Sequence, residues 1–195
     1  MISEKTDLRI TKTLRSIKEA FSALIITKPV NHITVTELAK KAEISKGTFY
    51  LHYLDIYDLY NGLVTEVANK IAACFNPYPD LFAAPERFVR TFMFAQLDLF
   101  SNSLTVSERK ILSENNIRFC PGYPKCFIDA FRQQIYRTDK IVPCMENDIK
   151  TEFLITGMLS IIISYPTLFS RPELQESVVR YLTSVVKETF PEFYQ

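Results

Sequence analysis

TVTELAKKAEISKGTFYLHY, residues Thr34–Tyr53, decides how the rest of the chain is read. Thr34 followed three residues later by Glu37 has the pattern of a capping box. In it the Thr hydroxyl accepts from the Glu37 amide and the Glu37 carboxylate returns to the Thr34 amide. Ile33 and Leu38 flank the pair as a hydrophobic staple would. The helix so opened is short and stops near Ala42 and Glu43. Ser45 is a second N-cap and opens another short helix, Lys46 to about Tyr53. Ala39, Ile44 and Phe49 are placed to pack inward and fix the angle between the two helices. Phe49 and Tyr53, four apart, share one face, while Thr48, Leu51 and His52 share another.

Upstream, Leu14, Ile17, Phe21, Leu24 and Ile25 recur at three- and four-residue steps and predict a helix from about Thr11 to Thr27, ended by Pro29 and Asn31. Downstream, Asp55 caps a longer helix, about Ile56 to Phe75, broken by Asn76-Pro77-Tyr78-Pro79. Further helical patterns cover about Pro85–Phe100, Ser107–Phe119, Lys125–Arg137, Asn147–Tyr165 and Pro172–Phe190, with a turn at Pro121-Gly122-Tyr123-Pro124. The expected fold is all-α, with about nine helices, no strand and no internal repeat. It divides into a small three-helix unit, 1–56, and a larger helical unit, 57–195.

Charge is divided between these parts. Residues 1–53 carry nine Lys and Arg against five acids, and the remainder carries the opposite bias, so a basic head is offered to a polyanion. The four cysteines, Cys74, Cys120, Cys126 and Cys144, form no C-x-x-C pair, and both histidines stand apart from them, so no metal site is expected. No cofactor is expected either. The chain has no Gly-rich phosphate loop and no Ser/His/Asp spacing, which argues against an enzyme. Residues 1–10 are charged and lack the apolar run of a signal peptide, and Phe153–Tyr165 is too short to span a bilayer. The expectation is a protein of the reducing bacterial cytoplasm with no membrane partner.

A tri-helical unit of this kind suits double-stranded DNA, because a helix N-terminus with a nearby cation attracts phosphate. Here the sequence resembles the TetR family of bacterial regulators. The resemblance rests on Thr34, Val35, Ala39, Ala42, Ser45, Gly47, Thr48, Phe49, Tyr50, His52 and Tyr53, within about residues 10–67. It implies that Thr34 and Thr36 open the first short helix against the DNA backbone, and that Lys46 and Gly47, beside the Ser45 cap, approach phosphate. It also implies that Thr48 and Leu51 face base edges, that Tyr50 and His52 bond phosphates, and that Phe49 and Tyr53 are core. The family usually carries a Lys near the start of its fourth helix. Here Ile56 stands there between Asp55 and Asp58, so more of the phosphate grip falls to Lys46, Tyr50, His52 and the basic residues Lys5, Arg9 and Lys12.

The same resemblance implies a homodimer that represses at a palindromic operator and is released by an effector bound in its C-terminal helices. Phe153, Leu154, Ile161, Ile162, Val178, Tyr181, Leu182 and Val185, with Met158 and Leu174, are the expected dimer seam. Phe88, Phe92, Phe127, Phe131 and Met158, with Phe94 and Tyr136, are the candidate lining of an apolar effector pocket. Arg87, Arg90, Arg132 and Asp98 are candidates to orient a ligand. A DIYDL-like start to the fourth helix, Asp55–Leu59, resembles a TetR-like group that responds to dihydroxyacetone kinase subunits. That resemblance leaves an activator or a protein effector as the alternative.

Overall fold

Proline opens helices in this chain more often than it ends them. The first N–H groups of a helix have no partner inside it, so a residue without an N–H is tolerated there and its fixed φ already suits the helix. The computed structural model describes residues 2–74 and 77–194, with side chains outside 1–7, 74–79, 95–102, 114, 123, 163, 166, 169 and 195. Among them are eleven α-helices and no strand. These are α1 (Ile2–Ile25), α2 (Val35–Lys41), α3 (Lys46–Tyr50), α4 (Ile56–Cys74), α5 (Pro77–Ala83), α6 (Pro85–Asn102), α7 (Val106–Ile111), α8 (Glu114–Ile117), α9 (Tyr123–Tyr136), α10 (Met145–Ser164) and α11 (Pro172–Thr189).

The all-α expectation holds, and the two additional helices have local causes. The Pro77–Pro79 stretch begins α5, its prolines falling in the first turn, while Phe75 and Asn76, where the sequence pattern places the end of α4, lie outside the described residues. The pattern expected as one helix over 107–119 is two helices. Ser113 interrupts it with extended backbone (φ −64°, ψ 152°), and its hydroxyl donates to the Lys110 carbonyl at 2.8 Å. α1 extends well beyond Thr11 toward the N-terminus, so Arg9 and Lys12 stand on this helix and not on an arm before it; Lys5 lies outside the residues whose side chains are described.

Two compact units result. The first comprises 1–67 and 104–123, and the second 68–103 and 124–195, the boundary falling inside α4. In the first, Ile17, Phe21 and Ile25 of α1, Leu38 of α2, Phe49 of α3, and Ile56, Leu59 and Tyr60 of α4 make one buried cluster with Ile111 and Cys120. Two buried hydrogen bonds fasten residues 104–123 to it. Tyr60 Oη donates to the Ile111 carbonyl at 2.8 Å, and the Val30 amide donates to Asn116 Oδ1 at 2.8 Å. Asn116 is 2% exposed, and its Nδ2 in turn donates to the Lys110 carbonyl at 2.7 Å. One side chain thus satisfies an amide of the α1–α2 connection and a carbonyl at the end of α7.

The second unit is built on aromatic packing, with Phe88, Phe92 and Phe131 in a chain of ring contacts at 5.9 and 5.1 Å. Phe82 of α5 lies against Phe190 and Phe193, just beyond α11. Polar contacts tie the helices. Arg90 of α6 bonds Glu176 of α11 through two nitrogens at 2.7 Å, and Tyr136 of α9 donates to Asp148 of α10 at 2.7 Å. Burial first, and then that bond to a carboxylate, pushes the Tyr136 phenol up to about 12.

Replacing Asn116 by Ala strands the Val30 amide in the core, which should lower unfolding stability in urea by about 1–3 kcal/mol. Asn115→Ala, at an exposed position, should leave the midpoint unchanged.

Candidate nucleic-acid interface

The two N-caps form where the sequence places them, but they are not equivalent. Thr34 Oγ1 accepts from the Glu37 amide at 3.3 Å, and Ser45 Oγ accepts from the Thr48 amide at 2.9 Å. The return half of the expected Thr34–Glu37 box is not made, because the Glu37 carboxylate pairs with Lys28 instead. The same Thr-Val-x-Glu pattern recurs at Thr105–Glu108. There the box closes with both bonds, Glu108 Oε2 accepting from the Thr105 amide at 2.7 Å.

The turn between α2 and α3 is made by Glu43, near which the sequence places the end of the first short helix. Glu43 has φ 56°, the left-handed conformation that glycine adopts without strain. The Ile44 amide donates to the Ala39 carbonyl at 3.0 Å and the Glu43 amide to the Lys40 carbonyl at 3.3 Å. That pair of bonds is a Schellman motif, which satisfies the last carbonyls of α2 and directs the chain into Ser45. The hydrophobic pattern points to no particular residue for this role, since only the bond geometry requires it.

α3 is shorter than expected, five residues ending at Tyr50, with Leu51 as its C-cap. Phe49 is fully buried, and Tyr53 is packed against the same core with ring centroids 5.7 Å apart. Burial raises the Tyr53 phenol above its ordinary value, opposed by the charge of Lys18 and aided by Glu66 and Asp58. Opposite this anchor the chain faces solvent. Tyr50 is 56% and Leu51 81% exposed, Thr34, Thr36, Ser45, Lys46 and Gly47 are also exposed, and Thr48 and His52 are half-buried. Leu54, in the connection to α4, is 83% exposed and was not among the residues picked out from the sequence. A Cβ on Gly47 would meet only Ser45 Oγ at 3.6 Å, ordinary contact, so the fold itself does not demand glycine there.

Ile56, in place of a lysine, is a core residue, 6% exposed. Its flanking acids hold the α3–α4 turn. The Asp58 amide donates to Asp55 Oδ1 at 2.8 Å, and the Leu54 amide donates to Asp58 Oδ2 at 2.9 Å. Asp55 and Asp58 therefore act on their own backbone. Tyr57, between them, stacks on Phe119 at 6.0 Å, and Arg118 lies over the Phe119 ring at 5.0 Å.

Comparison with known proteins fits this geometry. A 51-residue stretch is 35% identical to YxbF of Bacillus subtilis (strain 168), an uncharacterized HTH-type transcriptional regulator. The match takes in 26% of the chain and 13% of that protein. No family model matches the chain. A stretch of the chain is thus similar to part of a helix-turn-helix transcriptional regulator.

In the second unit, Phe153, Leu154, Met158, Ile161, Tyr181, Leu182 and Val185 line one open groove of about 420 Å³ between α10 and α11. Phe153 and Tyr181 are 68% and 65% exposed. Ile162 and Val178 are half-buried and do not line it. Phe88, Phe92, Phe127 and Phe131 are buried core, and Met158 is both core and groove floor. The arginines considered for ligand contact are engaged. Arg87 pairs with Asp80, Arg90 with Glu86 and Glu176, and Arg132 with Asp129, Asp148 and Glu152. The Asp98 side chain lies outside those described. Among the described residues, no helix is long and apolar enough to cross a membrane.

Glu43→Gly should raise the thermal midpoint, by the equivalent of up to about 1 kcal/mol, because relief of the left-handed strain exceeds the entropy glycine adds to the unfolded chain. Glu43→Val should lower it, since a β-branched residue is least tolerant of positive φ.

Proposed function

We propose that this protein is a transcriptional regulator of the TetR type, a homodimer that binds a palindromic operator through α2 and α3. The single observation that carries the reading is the division of α3: Phe49 is fully buried as an anchor, while Lys46, Tyr50 and Leu51 beside it face solvent. A rigidly seated short helix with outward cationic, phenolic and apolar groups has the form of a major-groove reader. The similarity to a helix-turn-helix regulator supports it.

Thr34, Thr36, Ser45, Tyr50 and His52 are assigned to the DNA backbone, and Thr48 and Leu51 to base edges. Gly47 supports the assignment. It is exposed, it lacks a positive φ, and it costs a helix roughly 0.5–1 kcal/mol relative to Ala, so its value lies in letting another backbone come close. The two Asp side chains at the start of α4 hold the turn and do not face phosphate. The electrostatic share of binding therefore rests on Lys46 and on exposed cations such as Lys40, Lys41 and Arg9.

The dimer seam is the α10–α11 groove, whose exposed Phe153 and Tyr181 a second copy would cover. Two-fold pairing of this kind presents two reading helices, and a palindromic site follows from that symmetry. The effector is assigned to the second unit, with repression relieved on its binding. An aromatic core that includes the unbranched, adaptable Met158 suits an apolar molecule.

In gel-shift titrations against the gene's own upstream DNA, Lys46→Ala should weaken binding and lower the slope of log K against log salt by about 1. The absence of any shift at low salt, there and at neighbouring promoters, would sink the operator reading. In sedimentation velocity, Tyr181→Asp should move the wild-type dimer toward monomer; a monomeric wild type refutes the seam.

A further inference from the structure

Residues 46–52 contain no Arg, Asn, Gln, Asp or Glu, and Lys46, assigned above to phosphate, is the one side chain there of the charged and amide types that hydrogen-bond base edges. The Thr48 hydroxyl is already hydrogen-bonded to Ser45 Oγ at 2.8 Å. His52 is half-buried, and Lys46 stands at the first position of α3. At the end of this helix stands a hydrocarbon side chain, Leu51, 81% exposed. Resting on the operator reading above, we infer that the protein reads its site through thymine C5-methyl groups, with Leu51 as the contacting residue.

The chemistry is selective in both directions. In the major groove thymine alone presents a methyl group, and the other base edges present donors and acceptors. Leu51 over thymine removes two apolar surfaces from water together. Over cytosine, adenine or guanine it strips water from a polar edge and offers no hydrogen bond in return. Discrimination then comes from apolar contact and from the desolvation of wrong bases.

The test begins with selection of bound duplexes from a random library by the wild-type protein. The enriched half-site should contain an invariant thymine. Replacing that thymine by deoxyuridine keeps every hydrogen-bonding group and deletes only the methyl. Wild-type affinity should fall roughly four-fold per half-site, the value of one methyl group taken out of water. Leu51→Ala should bind the thymine and uracil duplexes alike, and Leu54→Ala should keep the wild-type difference. Where Leu51→Ala binds too weakly to measure, selection is repeated with Leu51→Gln, and the invariant thymine should give way to adenine.

Equal wild-type affinity for the two duplexes overturns the inference while the operator reading stands. So does a uracil penalty that persists in Leu51→Ala, an enriched site without thymine, or an unchanged site with Leu51→Gln. Failure to enrich any duplex overturns the operator reading and this inference with it.

Discussion

A five-residue helix closes too few internal hydrogen bonds to persist by itself, so α3 has a fixed position only because Phe49 is buried. Truncating a fully buried aromatic of this size costs about 3–5 kcal/mol, far more than either N-cap contributes. The anchor works because three other helices share its cluster. Phe21, Leu38, Ile56 and Tyr60 belong to the same cluster and come from α1, α2 and α4. Thr34, Ser45 and Glu43 then decide where the chain enters and leaves this core. The exposed row of Lys46, Tyr50 and Leu51 is a consequence: Phe49 is seated, and its neighbours must face outward.

What could be read from the sequence follows the range of the interactions involved. N-caps bond within three residues, so Thr34 and Ser45 were legible, as were the inward Ala39 and Phe49 and the solvent-facing Leu51. Thr34–Glu37 and Thr105–Glu108 mark where such reading ends. The two have the same local pattern, but Lys28, nine residues upstream, captures one carboxylate. Ile56 is a similar case. As a string it reads as a missing cation between two acids, and in three dimensions it is a core residue whose flanking carboxylates hold a turn.

In the second unit the aromatic pattern was legible as burial and much less so as chemistry. Phe88, Phe92 and Phe131 fill one another's space. The arginines on the same helices tie α5 to α6, α6 to α11 and α9 to α10. Their partners lie up to 86 residues away, which no helical period reveals. The groove residues were easier, because an α10 apolar on several faces has more hydrophobic surface than one neighbour can cover, and Phe153 is left in the open.

The bond from the Val30 amide to Asn116 has a consequence for synthesis on the ribosome. It joins positions 86 residues apart, and closing a loop of that length costs about 4 kcal/mol in chain entropy beyond a constant. Residues 104–123 complete the core around Phe21 and Tyr60, so the first unit cannot finish folding when α1–α4 emerge. It waits for a segment translated after α6, and all of α4–α6 must leave the exit tunnel in the meantime. A nascent chain stalled before Leu104 therefore carries α1–α4 without Ile111, Asn116 and Cys120, which complete their core.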